Sequence, residues 1–128
     1  MTIKELKRLR DIRNLLAREE ERLQLLNAKR VSVGMNFSGL PHSESPDVHR
    51  MEDEIAEIME TEARIEEYKR EKRRIENYIN SIDNLYMRYI FSLRFIDQMS
   101  WRKIARKLGG GNTEDGIRMS VKRFLQKK

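Results

Sequence analysis

Glycine and proline number only eight in 128 residues, and none stands before Gly34. A backbone so poor in its two strongest breakers, with 38% charged residues, is suited to long helices with solvated flanks rather than to sheets. The apolar residues agree. Leu9, Ile12, Leu16, Leu23 and Leu26 recur at helical spacing, with Glu19 interrupting one core position. Residues 2–30 are therefore expected to form one helix. Residues 31–45 gather Gly, Ser, Asn and Pro and read as a loop. Its apolar members Val33, Met35, Phe37 and Leu40 suggest that the loop packs on something.

A second helix is expected from Ser45-Pro46-Asp47. Ser45 can cap free amides, Pro46 suits the first helical position, and Asp47 complements the helix dipole. Val48, Met51, Ile55, Ile58 and Ile65 mark its apolar stripe, which continues as Tyr68, Ile75, Ile79, Ile82, Tyr86 and Tyr89. Glu62 and Lys72 sit on the seam, and the stripe slips by one place between Ile65 and Tyr68. A bend or a change of packing partner is expected near residues 62–74. Two amphipathic helices of similar length should fold back as an antiparallel hairpin. Residues 1–80 are expected to be this hairpin, and its thin stripes suggest homodimerisation or partner binding.

Charge singles out the other end. Residues 100–128 hold nine Lys or Arg and two acids, a net of +7, whereas residues 1–99 hold 18 basic and 19 acidic residues, a net of −1. The positive field is thus expected to belong almost wholly to the last 29 residues, the electrostatic footprint of a polyanion binder. No apolar run approaches the ~20 residues needed to cross a bilayer. The opening residues lack the apolar core of a signal peptide, so a cytoplasmic protein is expected. Cysteine is absent, which excludes disulfides and thiolate metal sites.

Residues 81–128 read as three helices. The first spans about Ser81 to Asp97, with Leu85, Tyr89, Leu93 and Ile96 lining one side and Phe91 and Phe95 thickening it. After the connection Asp97-Gln98-Met99, Ser100 caps a helix from Trp101 to Leu108 whose inner face is Trp101, Ile104, Ala105 and Leu108. Gly109-Gly110-Gly111-Asn112 ends it, because left-handed φ is cheap only for Gly and Asn. Thr113 caps the last helix, with Ile117, Val121, Phe124 and Leu125 inward and Arg118, Met119, Lys122 and Arg123 outside that face. This is a helix-turn-helix pattern: a small residue at the helix crossing, a glycine turn, then a helix showing a cationic side to a DNA groove.

Other chemistry is weaker. Trp101 is expected to anchor the core rather than stack on a base. His42 and His49 have no third ligand nearby, so no metal is expected. The Glu-rich run from Glu52 to Glu76 alternates in sign and reads as a solvated helix face. No nucleophile-elbow or phosphate-loop motif occurs, and the glycine run follows no strand. No cofactor and no enzymatic activity are expected.

Leu93-Arg94-Phe95-Ile96-Asp97-Gln98-Met99-Ser100-Trp101-Arg102-Lys103-Ile104-Ala105-Arg106-Lys107-Leu108-Gly109 resembles region 4 of sigma-70-type factors, and residues 112–125 resemble its recognition helix. The layout is similar to sigma-70-region-4-like regulators of late genes encoded by Firmicutes phages. The resemblance implies a prophage-encoded transcription regulator in a bacterial host. It would bind double-stranded DNA, and RNA polymerase is a possible further partner. It implies DNA contacts at Thr113, Glu114, Asp115, Arg118, Met119 and Lys122. The neighbouring Asn112, Arg102, Lys103, Arg106, Lys107 and Arg123 complete the expected DNA-binding set. Glu114 and Gly116 depart from the basic residues usual there. The alternatives are a DNA-recognition subunit of a phage packaging machine, resembling a small terminase protein, and an adaptor that binds RNA polymerase.

Overall fold

The structure is a computed structural model. It describes the backbone of residues 1–37 and 46–127, and the side-chain surroundings of residues 1–29 and 49–127. The described elements are all helical, as expected: α1 (Ile3–Phe37), α2 (Pro46–Asn80), α3 (Leu85–Phe91), a π turn (Ser92–Ile96), α4 (Trp101–Leu108) and α5 (Glu114–Gln126). Among the described residues no helix is long and apolar enough to cross a membrane.

A reciprocal cap opens α1. The Thr2 amide donates to Glu5 Oε2 at 2.9 Å, and the Glu5 amide donates to Thr2 Oγ1 at 3.3 Å. The helix does not stop at Val31 as expected but runs to Phe37. A single Gly34 costs only about 1 kcal/mol against Ala in a helix, too little to end one by itself. The expected packing of Val33, Met35, Phe37 and Leu40, the Ser45 cap, His42 and the burial of Val48 lie outside the described residues. α2 begins on Pro46 as expected and runs unbroken to Asn80.

The chain forms two compact units, residues 14–69 and residues 1–13 with 70–128. This division differs from the boundary expected at residue 80. The change of unit along α2 falls at Lys69 and Arg70, inside the window where a change of packing partner was expected. Ion pairs fix an antiparallel course for α1 and α2 within each unit. In residues 14–69, Glu19 meets Arg64, Arg22 meets Glu57 and Lys29 meets Glu54. In the other unit, Glu5 meets Arg74 and Arg8 meets Glu71.

Among the described side chains, the core of residues 14–69 is thin. Leu16, Ile58 and Ile65 are buried, Leu23 and Leu26 half-buried. Met51 and Ile55, expected on the inner stripe, are exposed. The seam beside Ile58 and Ile65 is taken by Thr61, wholly buried, while Glu62 is exposed. Thr61 Oγ1 donates to the Glu57 carbonyl at 2.8 Å, which satisfies the hydroxyl locally; a carboxylate in that place would have to lose its water. Glu19, the interruption in the α1 stripe, faces Arg64, whose Nε lies 3.4 Å from Glu19 Oε1.

The other unit has a full core. Leu6, Leu9 and Ile12 of α1, Ile75 and Ile79 of α2 and Ile82 in the connection after it are buried, and so are Ile90, Phe91, Leu93, Phe95, Trp101, Ile104, Ile117 and Val121. Phe91 meets Phe95 and Phe124 edge-on at 5.6 and 5.5 Å, and Phe95 meets Trp101 at 6.5 Å. α3 starts at Leu85 rather than Ser81 because Asn84 Oδ1 accepts from the Tyr86 and Met87 amides and caps it there. Leu85, Tyr86 and Tyr89, expected inward, are exposed. The side facing inward carries Ile90 and Phe91, which have no hydroxyl to keep hydrated. In the π turn the Asp97 amide donates to the Ser92 carbonyl at 2.9 Å, one residue further than an α-helix allows.

Candidate nucleic-acid interface

The segment from Ser100 to Gln126 is built by local signals. Ser100 Oγ accepts from the Lys103 amide at 3.2 Å and starts α4. Trp101 and Ile104 are buried, as expected, whereas Ala105 and Leu108 are half-buried. The turn needs its glycines: Gly109, Gly110 and Gly111 have φ of +63°, +63° and +78°, values that L side chains adopt only with strain. Asn112 Nδ2 and its backbone amide both donate to the Gly109 carbonyl, at 2.7 and 3.2 Å. Thr113 Oγ1 accepts from the Gly116 amide at 3.1 Å and starts α5. A Cβ on Gly116 would stand 2.9 Å from that Oγ1, so the glycine leaves room for the cap.

These contacts sort the expected DNA-binding residues. The side chains of Asn112 and Thr113 hold the turn. Asp115 Oδ1 accepts from Arg118 Nη2 at 2.6 Å in an exposed pair on one helix face. Glu114, Met119, Lys122 and Arg123 are exposed on α5, and Arg102, Lys103, Arg106 and Lys107 on α4. Among the described residues, none of these six Lys and Arg side chains forms an ion pair. Ile117 and Val121 fill the buried side of α5, with Phe124 and Leu125 half-buried.

The fold adds three features that the expected set lacks. Tyr86 and Ile90 of α3 line a groove of about 250 Å³ with Gly111, Asn112, Thr113 and Gly116. Lys122 lines a second groove, about 400 Å³, with Met1, Thr2 and Ile3, so the start of α1 borders the outward face of α5. Arg94 bridges the π turn and α4: Nη1 donates to the Met99 carbonyl at 2.9 Å, and its guanidinium lies 4.6 Å from the centre of the Trp101 ring. Burial, and secondarily the charge of Arg10, lower its pKa from the ordinary arginine value.

The electrostatics require a correction. Residues 1–13 and 70–128 together hold 20 Lys and Arg against 8 Asp and Glu, a net of +12, while residues 14–69 hold 7 against 13, a net of −6. The positive field is therefore not confined to the last 29 residues. Lys4, Lys7, Arg8, Arg10 and Arg13 at the start of α1 and Arg70, Lys72, Arg73 and Arg74 on α2 belong to the same compact unit as α4 and α5. The hairpin signal carried this information, since folding back brings the first residues beside the end of the second helix.

Among the described residues no group of three His, Asp or Glu side chains is arranged to hold a metal ion. Comparison with protein-family models, with curated proteins and with solved structures finds no match to this chain.

Proposed function

We propose that the unit containing residues 81–128 binds duplex DNA, with the outward face of α5 in the major groove and α4 against the backbone. The role proposed is transcription regulation of the kind implied by the resemblance to sigma-70 region 4. One observation carries this reading. α5 divides into a sealed side, with Ile117 and Val121 at 3% and 0% exposure, and an open side bearing Arg118, Met119, Lys122 and Arg123. Four exposed cations of α4 stand on the preceding helix. Phosphate contacts would position the protein, and Arg118 and Asp115 offer the donor and acceptor that base edges require. The exposed Leu15, Leu25, Met51, Ile55 and Met59 of residues 14–69 support self-association through the hairpin.

The test is duplex binding as a function of salt. A binder making about six phosphate contacts loses roughly a thousandfold in affinity between about 50 and 200 mM salt. Arg118→Ala with Lys122→Ala should abolish binding while circular dichroism stays unchanged. Absence of duplex affinity even at low salt overturns the reading in favour of a protein-binding adaptor. Light scattering should report a monomer or dimer; a ring of many copies moves the assignment to a packaging subunit.

A further inference from the structure

Outside the α4–α5 face, the cationic unit has a concave surface in which basic side chains converge. Lys7, Arg10 and Asp11 of α1 form one wall; Arg94 and Phe95 of the π turn and Gln98 of the following connection form the other, around about 290 Å³. The charges there do not balance: three cations face one carboxylate. Asp11 has no ion pair to any of them among the described residues. Lys7 and Arg10 are exposed, while Arg94 is half-buried and fixed by Trp101 on one side and the Met99 carbonyl on another. A guanidinium held in place against its ring and carbonyl has lost its rotamer freedom before any ligand arrives, and it keeps further N–H donors in a rigid fork. Gln98, at φ +62°, donates its amide to the Phe95 carbonyl at 2.7 Å and stiffens the same wall. The like charges of Arg10 and Arg94 already act on each other, so a bound anion would gain from both.

We infer that the groove between the start of α1 and the π turn is an oxyanion site that takes a phosphate group, held by Arg94 and Arg10 with Lys7 at the rim. This rests on the DNA-binding reading only for the source of the phosphate. If the phosphate belongs to the duplex backbone, α1 is an auxiliary clamp that extends the footprint beyond α4 and α5. A phosphate fits better than a protein carboxylate because two guanidiniums and an ammonium exceed what one carboxylate neutralises.

The chain reports on this groove by itself, because its one tryptophan is Trp101, stacked under Arg94. Inorganic phosphate titrated into the full-length protein at constant ionic strength should change Trp101 fluorescence saturably, and chloride should not. In Lys7→Ala with Arg10→Ala, two exposed positions whose removal leaves the core intact, that response should be lost. The same variant should weaken duplex binding evenly across sequences, with a salt slope smaller by about 1 for each phosphate contact removed. Both changes together identify the duplex backbone as the source. A phosphate response with an unchanged duplex slope identifies a free phosphate or phosphate ester. If wild-type protein binds no duplex, the DNA reading fails, and the fluorescence arm alone still decides the groove. No saturable response to phosphate in the wild type, together with an unchanged slope in the variant, overturns the site.

Discussion

The two compact units are made of the same two long helices yet solve opposite problems. Among their described side chains, residues 14–69 pair two helices over three buried apolar residues and Thr61, with ion pairs closing the flank. Among the described residues, residues 1–13 and 70–128 bury fourteen apolar side chains, drawn from every helical element of the chain and from the connection before α3. One unit carries −6 and the other +12, and the second keeps a full core although Leu85, Tyr86, Tyr89 and Met119 stand exposed on its surface. A closed core can bear a field of one sign because apolar burial offsets the self-repulsion. A two-helix pair has no such reserve, and exposed side chains such as Met59 and Leu25, at 65% and 67% exposure, are those through which the proposed self-association would run. The full core and the positive charge thus fall in the same unit, the one proposed to bind DNA.

The contrast can be broken by mutation. The largest effect is expected for Phe91→Ala. Phe91 is wholly buried and touches two aromatic rings, so truncation should cost about 3–5 kcal/mol. Urea unfolding followed by Trp101 fluorescence, which senses the cationic unit, should show the loss as a lower midpoint. A cost below 1 kcal/mol would mean that the aromatic cluster does not organise that core.

Leu16→Ala is the matched test in the other unit. Leu16 is buried, at 7% exposure, but its surroundings are two helices able to close in on the gap. The expected cost is at the low end for a leucine, about 2 kcal/mol. Far-ultraviolet circular dichroism should register it more strongly than Trp101 fluorescence does. If Leu16→Ala instead matched or exceeded Phe91→Ala, the distinction between a thin pair and a full core would be wrong.

Much of the cationic unit was legible because its signals are local. Ser100 and Thr113 are caps by residue type, and three consecutive glycines favour a turn, so α4 begins and ends, and α5 begins, where the sequence puts them. The outward residues of α5 follow from the same period that buries Ile117 and Val121. The remainder depends on tertiary choice. Helical spacing alone does not decide whether the Tyr86 and Tyr89 side or the Ile90 and Phe91 side of α3 faces inward; that is settled by what the rest of the unit presents to it. The burial of Leu6, at 1% exposure, and of Thr61 has no local signal, because it depends on what another helix presents. The grouping of Lys7 and Arg10 with Arg94 joins segments more than 80 residues apart, and no local pattern encodes it.

The smallest effect is expected where the start of α1 is tied down. The Glu5 carboxylate sits below its ordinary pKa, first because the Thr2 amide donates to it and also through the charge of Arg74. A depressed folded-state pKa means that the unfolded chain takes up this proton first as pH falls. The contribution is therefore fully present above the unfolded pKa and is lost as pH drops through the folded one. Glu5→Gln can still accept from the Thr2 amide, though more weakly and without charge. Between pH 7 and pH 3 the variant should accordingly lose less stability on acidification than the wild type, with the two converging at the acid end. Thr2 and Ile3 also line the groove that holds Lys122, so a frayed α1 start should loosen that edge of the α5 face. Duplex affinity at neutral pH should then fall slightly in Glu5→Gln, by less than in Lys7→Ala with Arg10→Ala. A larger fall would mean that the order of the α1 start, more than its charge, supports the contact.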